Sequence, residues 1–580
     1  MNKTKYVLPI LLLGNLLCMM DVSIMTIVLP EIQTAFKVNL TDLSWTLNVY
    51  TIVFASLIIP FGRFAQKIGR NKFVFIGLLI FGGGSFMTGI SDNLSFMIGS
   101  RVIQSIGAAI IIPTSMVIGL EISNRQNRHK IVAALAGVQG LAVALGPSIG
   151  GFVSQYFGWR WVFFINVPLV ILDLILYPFV LPLKRESKFS VKIDWLGALL
   201  STAMLFSLSL GLIKGNTWGW HSTVIWVLFA IALGSLVIFV LLETYLKSPM
   251  IDMTLFKSRN FVGAGSALIL CNFFLGGMAI LIPTFLTQVQ GESELRAALL
   301  ITPYSIAVMF SAILTSLFVK RINNKLLISA GFILIGISYL LLSQMNLRHN
   351  YNELIVAAIL LGVGYGLVAA TANILAVADF HGSRLTDSQS VANVLRQVGM
   401  VLSIAIFMTI LANNVGTAKQ KTLGFSDQQI NALSLSTAQQ ARLRHKLQYK
   451  LNPQNNDVSE NQKARVTFQP IHVSNKRVAQ LSKKLYQKRL RQMQREGRLS
   501  SNHIVAISQK LKHLVYYQVQ QSIKHRVIEL ATKIKILVSQ IKWYLKAKLN
   551  HAFLDIYGDM LWLAFLSLLI IPIFKFKPRS

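Results

Sequence analysis

The chain has 580 residues, 53% of them hydrophobic and only 13% charged, with a mean hydropathy of +0.56. Soluble chains carry about 25% charged residues, so water-soluble enzyme classes are poor candidates and a polytopic membrane protein is indicated. The net charge of +34 has to be explained on that background, and the two cysteines, Cys18 and Cys271, both inside apolar runs, give no disulfide framework to read.

Apolar runs of the ~20 residues needed to cross a bilayer recur along the chain, and only helices repeat that way without stranding backbone polar groups. Spans are expected near 6–29, 45–62, 73–91, 96–120, 131–156, 162–182, 195–213, 222–243, 261–287, 297–319, 326–344, 354–378, 388–412 and 559–576. That makes fourteen. The basic start of the chain is followed by a full-length span with no small-residue cleavage site, so span 1 is expected to be retained. Short loops after even-numbered spans hold the lysines and arginines: Arg63, Lys67, Arg70 and Lys72, then Arg125, Arg128 and Lys130, then Lys184, Arg185 and Lys188, then Lys257 and Arg259, then Lys320, Arg321 and Lys325. The opposite loops are nearly bare, so both termini are expected on the cytoplasmic side.

The first span carries one carboxylate, Asp21. A charged side chain at membrane depth costs several kcal/mol and usually marks an ion or substrate pathway. Nine residues separate Asp21 from Pro30, about 13 Å of helix, which weighs against the alternative that it only reaches headgroup water. Arg101, in span 4, lies about five residues from the same end, within reach of Asp21; the alternative is that it snorkels to the headgroups. Asp173 lies mid-span in span 6 and reads either as a second charge site or as a group satisfied by a neighbouring helix. Arg396 in span 13 is a further charge suited to gating or to binding anions. Asn15, Asn48, Gln139, Asn272, Phe273, Phe274, Tyr365 and Asn373 are candidates to line a cavity, although aromatics in apolar spans more often pack than bind.

Ile27-Val28-Leu29-Pro30 in span 1 and Leu281-Ile282-Pro283 in span 9 hint at an internal repeat, with Phe274 standing where Asp21 stands in the first half. Transporters are commonly built from such repeats with the site between them. Residues 1–190 then form a six-helix bundle, 191–250 an inserted pair, 251–413 spans 9–13, 414–557 an insert, and 558–580 the last span and tail.

The insert holds 26 Lys and Arg against six acids, the main source of the net charge. The topology puts it outside the cell, which offends the positive-inside rule little because long loops escape it. Ile523, Val527, Leu530, Ile534, Leu537, Ile541 and Tyr544 alternate spacings of four and three, a coiled-coil-like seam. Asn452 to Asp457, with Pro453, reads as a loop. The insert is either a solvated helical cap or a contact with anionic cell-wall polymer or lipid headgroups. Nucleic acid is not expected as a partner outside the cell.

Gly62-Arg63-Phe64-Ala65-Gln66-Lys67-Ile68-Gly69-Arg70-Asn71-Lys72 joins spans 2 and 3, its glycines allowing a tight turn and its basic residues facing headgroups. The string resembles the signature loop of the major facilitator superfamily, with Gln66 where the family usually has aspartate. That substitution puts a gating salt bridge in doubt. Arg101-Val102-Ile103-Gln104-Ser105-Ile106-Gly107 resembles the span-4 motif. Gly146-Pro147-Ser148-Ile149-Gly150-Gly151 in span 5 is similar to the motif of antiporters in this superfamily. Trp159-Arg160-Trp161 through Pro168, Met20-Asp21 through Pro30, and Arg396-Gln397-Val398-Gly399 are similar to the fourteen-span drug:proton antiporter branch.

The resemblance covers the spans and implies an all-α polytopic major facilitator fold with 14 transmembrane helices (6 + 2 + 6) in a bacterial cell membrane; it does not cover most of the insert, whose helical, coiled-coil-like and extracellular character is read from its own seam and from the loop charges. It implies export of amphipathic, often cationic, small molecules driven by the proton gradient; Asp21 and Arg101, from their charge and matching depth, are read as the coupling pair, with membrane lipids as surroundings. Two readings of other kinds remain open: export or flipping of a lipid or envelope precursor, and a wall-binding protein on a transporter scaffold. No metal cluster, cofactor motif or ATP-binding loop is read.

Overall fold

The computed structural model describes residues 4–38, 40–123, 128–181, 183, 193–246, 249–319, 321–345, 351–381, 383–433, 437–451, 475–496 and 504–574. They form helices α1 (Thr4–Phe36), α2 (Leu40–Leu43), α3 (Trp45–Ile68), α4 (Arg70–Gly89), α5 (Leu94–Ile122), α6 (Arg128–Phe157), α7 (Trp159–Phe164), α8 (Asn166–Val180), α9 (Trp195–Trp218), α10 (Thr223–Tyr245), α11 (Arg259–Thr284), α12 (Glu294–Phe318), α13 (Asn324–Ser343), α14 (Asn352–Ala378), α15 (Ser383–Asn431), α16 (Thr437–Leu451), α17 (Asn475–Arg495) and α18 (Ile504–Leu566). Short 3-10 helices follow α10 (Met253–Lys257) and α18 (Ser567–Ile573), and a π turn (Phe285–Gln290) follows Pro283 at the end of α11. Among the described residues, thirteen helices are long and apolar enough to cross a membrane. The fifth expected span falls on α6, where the side chains of Pro147, Ser148 and several neighbours lie outside the described residues. The loop expected over Asn452 to Asp457 lies outside them as well.

Two compact units are present, Met1–Asn414 with Asn550–Ser580, and Val415–Leu549. In the first, α3 and α4 pack on α5, while α12 and α13 pack on α14 in the same sequence order; α1 packs on α6, α9 on α10 and α3, and α12 on α6. Close helix approach is made possible by glycine: a Cβ on Gly107 of α5 would lie 2.5 Å from the backbone nitrogen of Phe81 in α4. The turn between α3 and α4 needs Gly69, whose φ of 109° is open to glycine at no steric cost. Helix starts are capped by short polar side chains, Asn93 accepting from the Phe96 amide at 2.9 Å and Ser258 from the Phe261 amide at 3.3 Å.

In the second unit the predicted seam is the inner face of α18. Leu537 and Ile541 are buried with Ile430 of α15, Tyr544 stacks on Phe425 at 4.4 Å, and Ile523 packs beside Val478, Val515 and Val519. One boundary differs from the sequence expectation. Residues 550–557, expected within the insert, belong to the first unit: Asn550 accepts from Gln290 at 2.9 Å, Phe553 packs on Phe285, and Tyr557 is fully buried edge-on to Tyr339.

Candidate functional site

Asp21 lies in α1 with 2% of its surface exposed, and Arg101 in α5 is fully buried. The Arg101 guanidinium forms an ion pair with Asp21 Oδ2 through Nη1, which also donates to Gln104 Oε1 at 2.7 Å. Gln104 Nε2 closes the triangle by donating to Asp21 Oδ1 at 2.8 Å, so both carboxylate oxygens are engaged. Arg101 Nε donates to the Thr46 carbonyl at 3.3 Å, and its plane sits 4.4 Å from the centre of the Tyr50 ring. Arg101 Nη2 has no hydrogen-bond partner among the described residues.

Glycines on two neighbouring helices set this geometry. A Cβ on Gly84 of α4 would lie 2.5 Å from the Gln104 backbone nitrogen, so glycine is what lets α5 approach at the residue that touches Asp21. On α6, a Cβ on Gly146 would meet Ser23 Cβ at 2.7 Å and one on Gly150 would meet Ile24 Cγ2 at 2.8 Å. The Gly-Pro-x-x-Gly-Gly motif therefore forms the groove that seats α1 within three residues of Asp21. Gly151 follows it on α6; the Pro147 side chain lies outside the described residues.

A second polar group crosses from one half to the other. Arg396 of α15 is half-buried and donates from Nη1 to Gln139 Oε1 of α6 at 3.3 Å and from Nη2 to Asn373 Oδ1 of α14 at 2.6 Å. Gln139 Nε2 reaches Asn15 Oδ1 of α1 at 3.5 Å, and Tyr365 of α14 donates to Asn272 Oδ1 of α11 at 3.2 Å. Of the cavity candidates, Asn15, Gln139 and Asn373 thus join a network around Arg396, while Asn272 and Tyr365 form a link of their own. Asn48 instead bonds Ser44 one turn away at 3.5 Å. Phe273 and Phe274 are buried in an aromatic cluster with Tyr339 and Phe407, so their surroundings are packing rather than open space.

At the α3–α4 junction the acid absent at position 66 is supplied from α15. Arg63 Nη2 pairs with Asp387 Oδ2 at 3.0 Å, Gln66 Nε2 donates to Asp387 Oδ1 at 3.2 Å, and Arg63 Nη1 donates to Gln66 Oε1 at 3.1 Å. Arg63 also donates to the carbonyls of Met250, at 2.8 Å through Nε, and of Pro249, while Glu243 of α10 accepts from the Ile251 amide at 3.1 Å. Arg70 pairs with Glu121 and donates to Thr386 at 2.7 Å. Gly62 presses on α15, a Cβ there lying 2.3 Å from Ser390 Oγ. A salt bridge is thus present at this turn despite Gln66. Asp387 was missed in the sequence, although an acid at the start of an apolar run was a usable signal.

Asp173 of α8 is 1% exposed, and neither carboxylate oxygen has a hydrogen-bond partner among the described residues; a Cβ on Gly14 of α1 would lie 3.4 Å from Oδ2. It joins none of the three groups. No cluster of three or more His, Cys, Asp or Glu able to hold a metal occurs among the described residues.

A bundle of apolar helices with a buried acid on the first, glycine-seated neighbours and a clasp at the α3–α4 turn defines a multi-pass membrane transporter. The chain belongs to the Major Facilitator Superfamily, whose model matches residues 11–404. It is 28% identical over 426 residues to the riboflavin transporter RibZ of Clostridioides difficile, covering 73% of this chain and 91% of that one. It is 29% identical to two proteins of Bacillus subtilis: the methylenomycin A resistance protein, over 70% of this chain and 87% of that one, and multidrug resistance protein 3, over 71% and 80%.

Proposed function

We propose that this protein is a proton-coupled antiporter that exports amphipathic small molecules, drugs among them, by alternating access. The observation that carries the reading is the enclosed Asp21–Arg101–Gln104 triangle between α1 and α5, in a chain whose relatives include drug-resistance proteins. Protonating Asp21 removes the charge that holds Arg101, frees the guanidinium to shift toward the Thr46 carbonyl and Tyr50 ring, and loosens α1 from α5. Deprotonation restores the pair. Because removing one partner of a buried pair costs about 3–5 kcal/mol, one proton supplies enough energy to bias the two states of the bundle.

In this reading the Arg63–Gln66–Asp387 clasp is the cytoplasmic gate, closed in the conformation described. The same reading takes fourteen spans, with both termini inside the cell and the basic insert outside it, available to anionic lipid or wall polymer. The test is proton movement in proteoliposomes when substrate is added to one side. Substrate-triggered flux that disappears in Asp21→Asn, at equal protein, supports antiport through Asp21; equal flux in the two proteins refutes it.

A further inference from the structure

We propose that the site between the two halves recognises small molecules bearing an acidic group, such as a carboxylate or sulfonate on an apolar frame, and that Arg396 is the residue that binds that group. This deepens the export reading and rests on it for the direction of transport, not for binding itself.

Among the described residues three arginines are buried, and each is paired with an acid. Arg101 is paired with Asp21, Arg63 with Asp387 and Arg70 with Glu121. Half-buried Arg396 is not so paired. It lies well inside α15, and among the described residues it has no carboxylate partner; its acceptors are two neutral amides, Gln139 at 3.3 Å and Asn373 at 2.6 Å. A guanidinium has five N–H donors in a planar fork, and these two bonds use only two of them. The polar side chains of its network, Asn15, Gln139 and Asn373, are all uncharged, so among the described residues the positive charge has no carboxylate to balance it. A charge at membrane depth without a counter-ion is costly, and an oxyanion relieves that cost with the fork-to-fork geometry that arginine favours. A cation in the same place adds repulsion instead. Asp21 cannot take up a cation in this conformation, because both its oxygens are already held by Arg101 and Gln104.

The placement also gives substrate binding a mechanical consequence. Gln139 belongs to α6 and Asn373 to α14, so Arg396 ties the first half to the second. An oxyanion accepting from Nη1 and Nη2 competes with both amides, and the longer bond to Gln139 is the first to be lost. Seating the ligand then breaks this hydrogen-bonded tie between α6 and α15.

The test uses two fluorescent probes of the same apolar frame, anilinonaphthalene sulfonate, which is anionic, and phenylnaphthylamine, which lacks the sulfonate. Binding is measured on the purified full-length protein in detergent with no proton gradient, so a failure of proton coupling does not affect the readout. Hydrogen bonds to charged groups contribute about 1.5–3 kcal/mol, so the wild type is expected to bind the sulfonate about tenfold or more tighter than its uncharged analogue. Arg396→Gln should remove that preference while leaving phenylnaphthylamine affinity unchanged, which also reports that the variant is folded. Arg396→Lys should fall between. Should Arg396→Gln bind neither probe, Arg396→Lys decides: a sulfonate preference weaker than that of the wild type supports the proposal, and an undiminished one overturns it. Equal affinity of the wild type for the two probes, no binding of the anionic one, or a preference that survives in Arg396→Gln overturns the proposal.

Discussion

Replacing Asp387 by asparagine tests the clasp at the α3–α4 turn. Asparagine keeps the shape but offers its one acceptor oxygen to only one of Arg63 and Gln66, and it removes the charge that completes the Arg63 pair at 3.0 Å. Arg63 retains the Met250 and Pro249 carbonyls and Gln66, so the loss is below the full cost of stripping a buried pair. A hydrogen bond to a charged group contributes about 1.5–3 kcal/mol, and a loss of about 2 kcal/mol shifts the closed-to-open ratio about thirtyfold. Asn393 is a convenient reporter. It is buried on α15, and its amide bonds the Gln389 carbonyl one turn back, at 2.9 Å. Asn393→Cys, with Cys18 and Cys271 replaced by alanine, should react with a water-soluble thiol reagent only when the clasp opens. Adding Asp387→Asn should speed labelling about thirtyfold. A rate within about threefold of the parent would show that the Arg63–Asp387 pair does not hold the closed state, and the energetic argument from burial of the ion pair would fail with it.

Three further outcomes follow from other parts of the structure. Gly150→Leu should lower the melting temperature and abolish transport, since its Cβ alone meets Ile24 at 2.8 Å and overpacking costs about 1–3 kcal/mol; Gly83→Ala, with nothing within 4 Å, should change neither. Asp173→Val should raise the melting temperature, because it removes two buried oxygens that lack partners among the described residues, at about 1–3 kcal/mol for an unsatisfied polar group; a lower melting temperature would show that the acid is satisfied in the membrane. At Asp252, burial pushes the carboxyl up, but hydrogen bonds from Thr254 and the Arg384 guanidinium outweigh it and hold the group below its ordinary 3.8. A depressed group stabilises above its unfolded value and loses that contribution as pH falls through the folded one. The melting-temperature difference between wild type and Asp252→Asn should therefore be constant from neutral pH to mildly acidic pH and shrink only below 3.8.

Much of this architecture was legible because membrane helices leave strong signals. Apolar runs located the spans, and a single acid in the first of them pointed to Asp21 and, through matching depth, to Arg101. Gly146 and Gly150 were recognisable as a pattern, but only the structure gives its purpose, which is to seat α1 beside Asp21. The Arg63–Asp387 pair was not legible: the two residues are 324 positions apart, and nothing local to either names the other. Gln66 drew attention to a missing charge without revealing that α15 supplies it. Phe273 and Phe274 show the opposite failure, since an aromatic in an apolar helix reads the same whether it lines a cavity or fills a core. The spacing of the α18 seam was readable, but where the transporter unit resumes was not, because residues 550–557 continue the same helix and are distinguished only by what they touch, Gln290, Phe285 and Tyr339.

The central claim, that a proton on Asp21 drives transport, is tested most directly by the substrate gradient that proteoliposomes sustain against an imposed pH difference. Each coupled proton supplies about a tenfold substrate gradient per pH unit. The wild type should therefore accumulate substrate in proportion to the pH difference, whereas Asp21→Asn should give no accumulation at any difference while still exchanging labelled for unlabelled substrate. Accumulation by Asp21→Asn equal to that of the wild type would contradict the account.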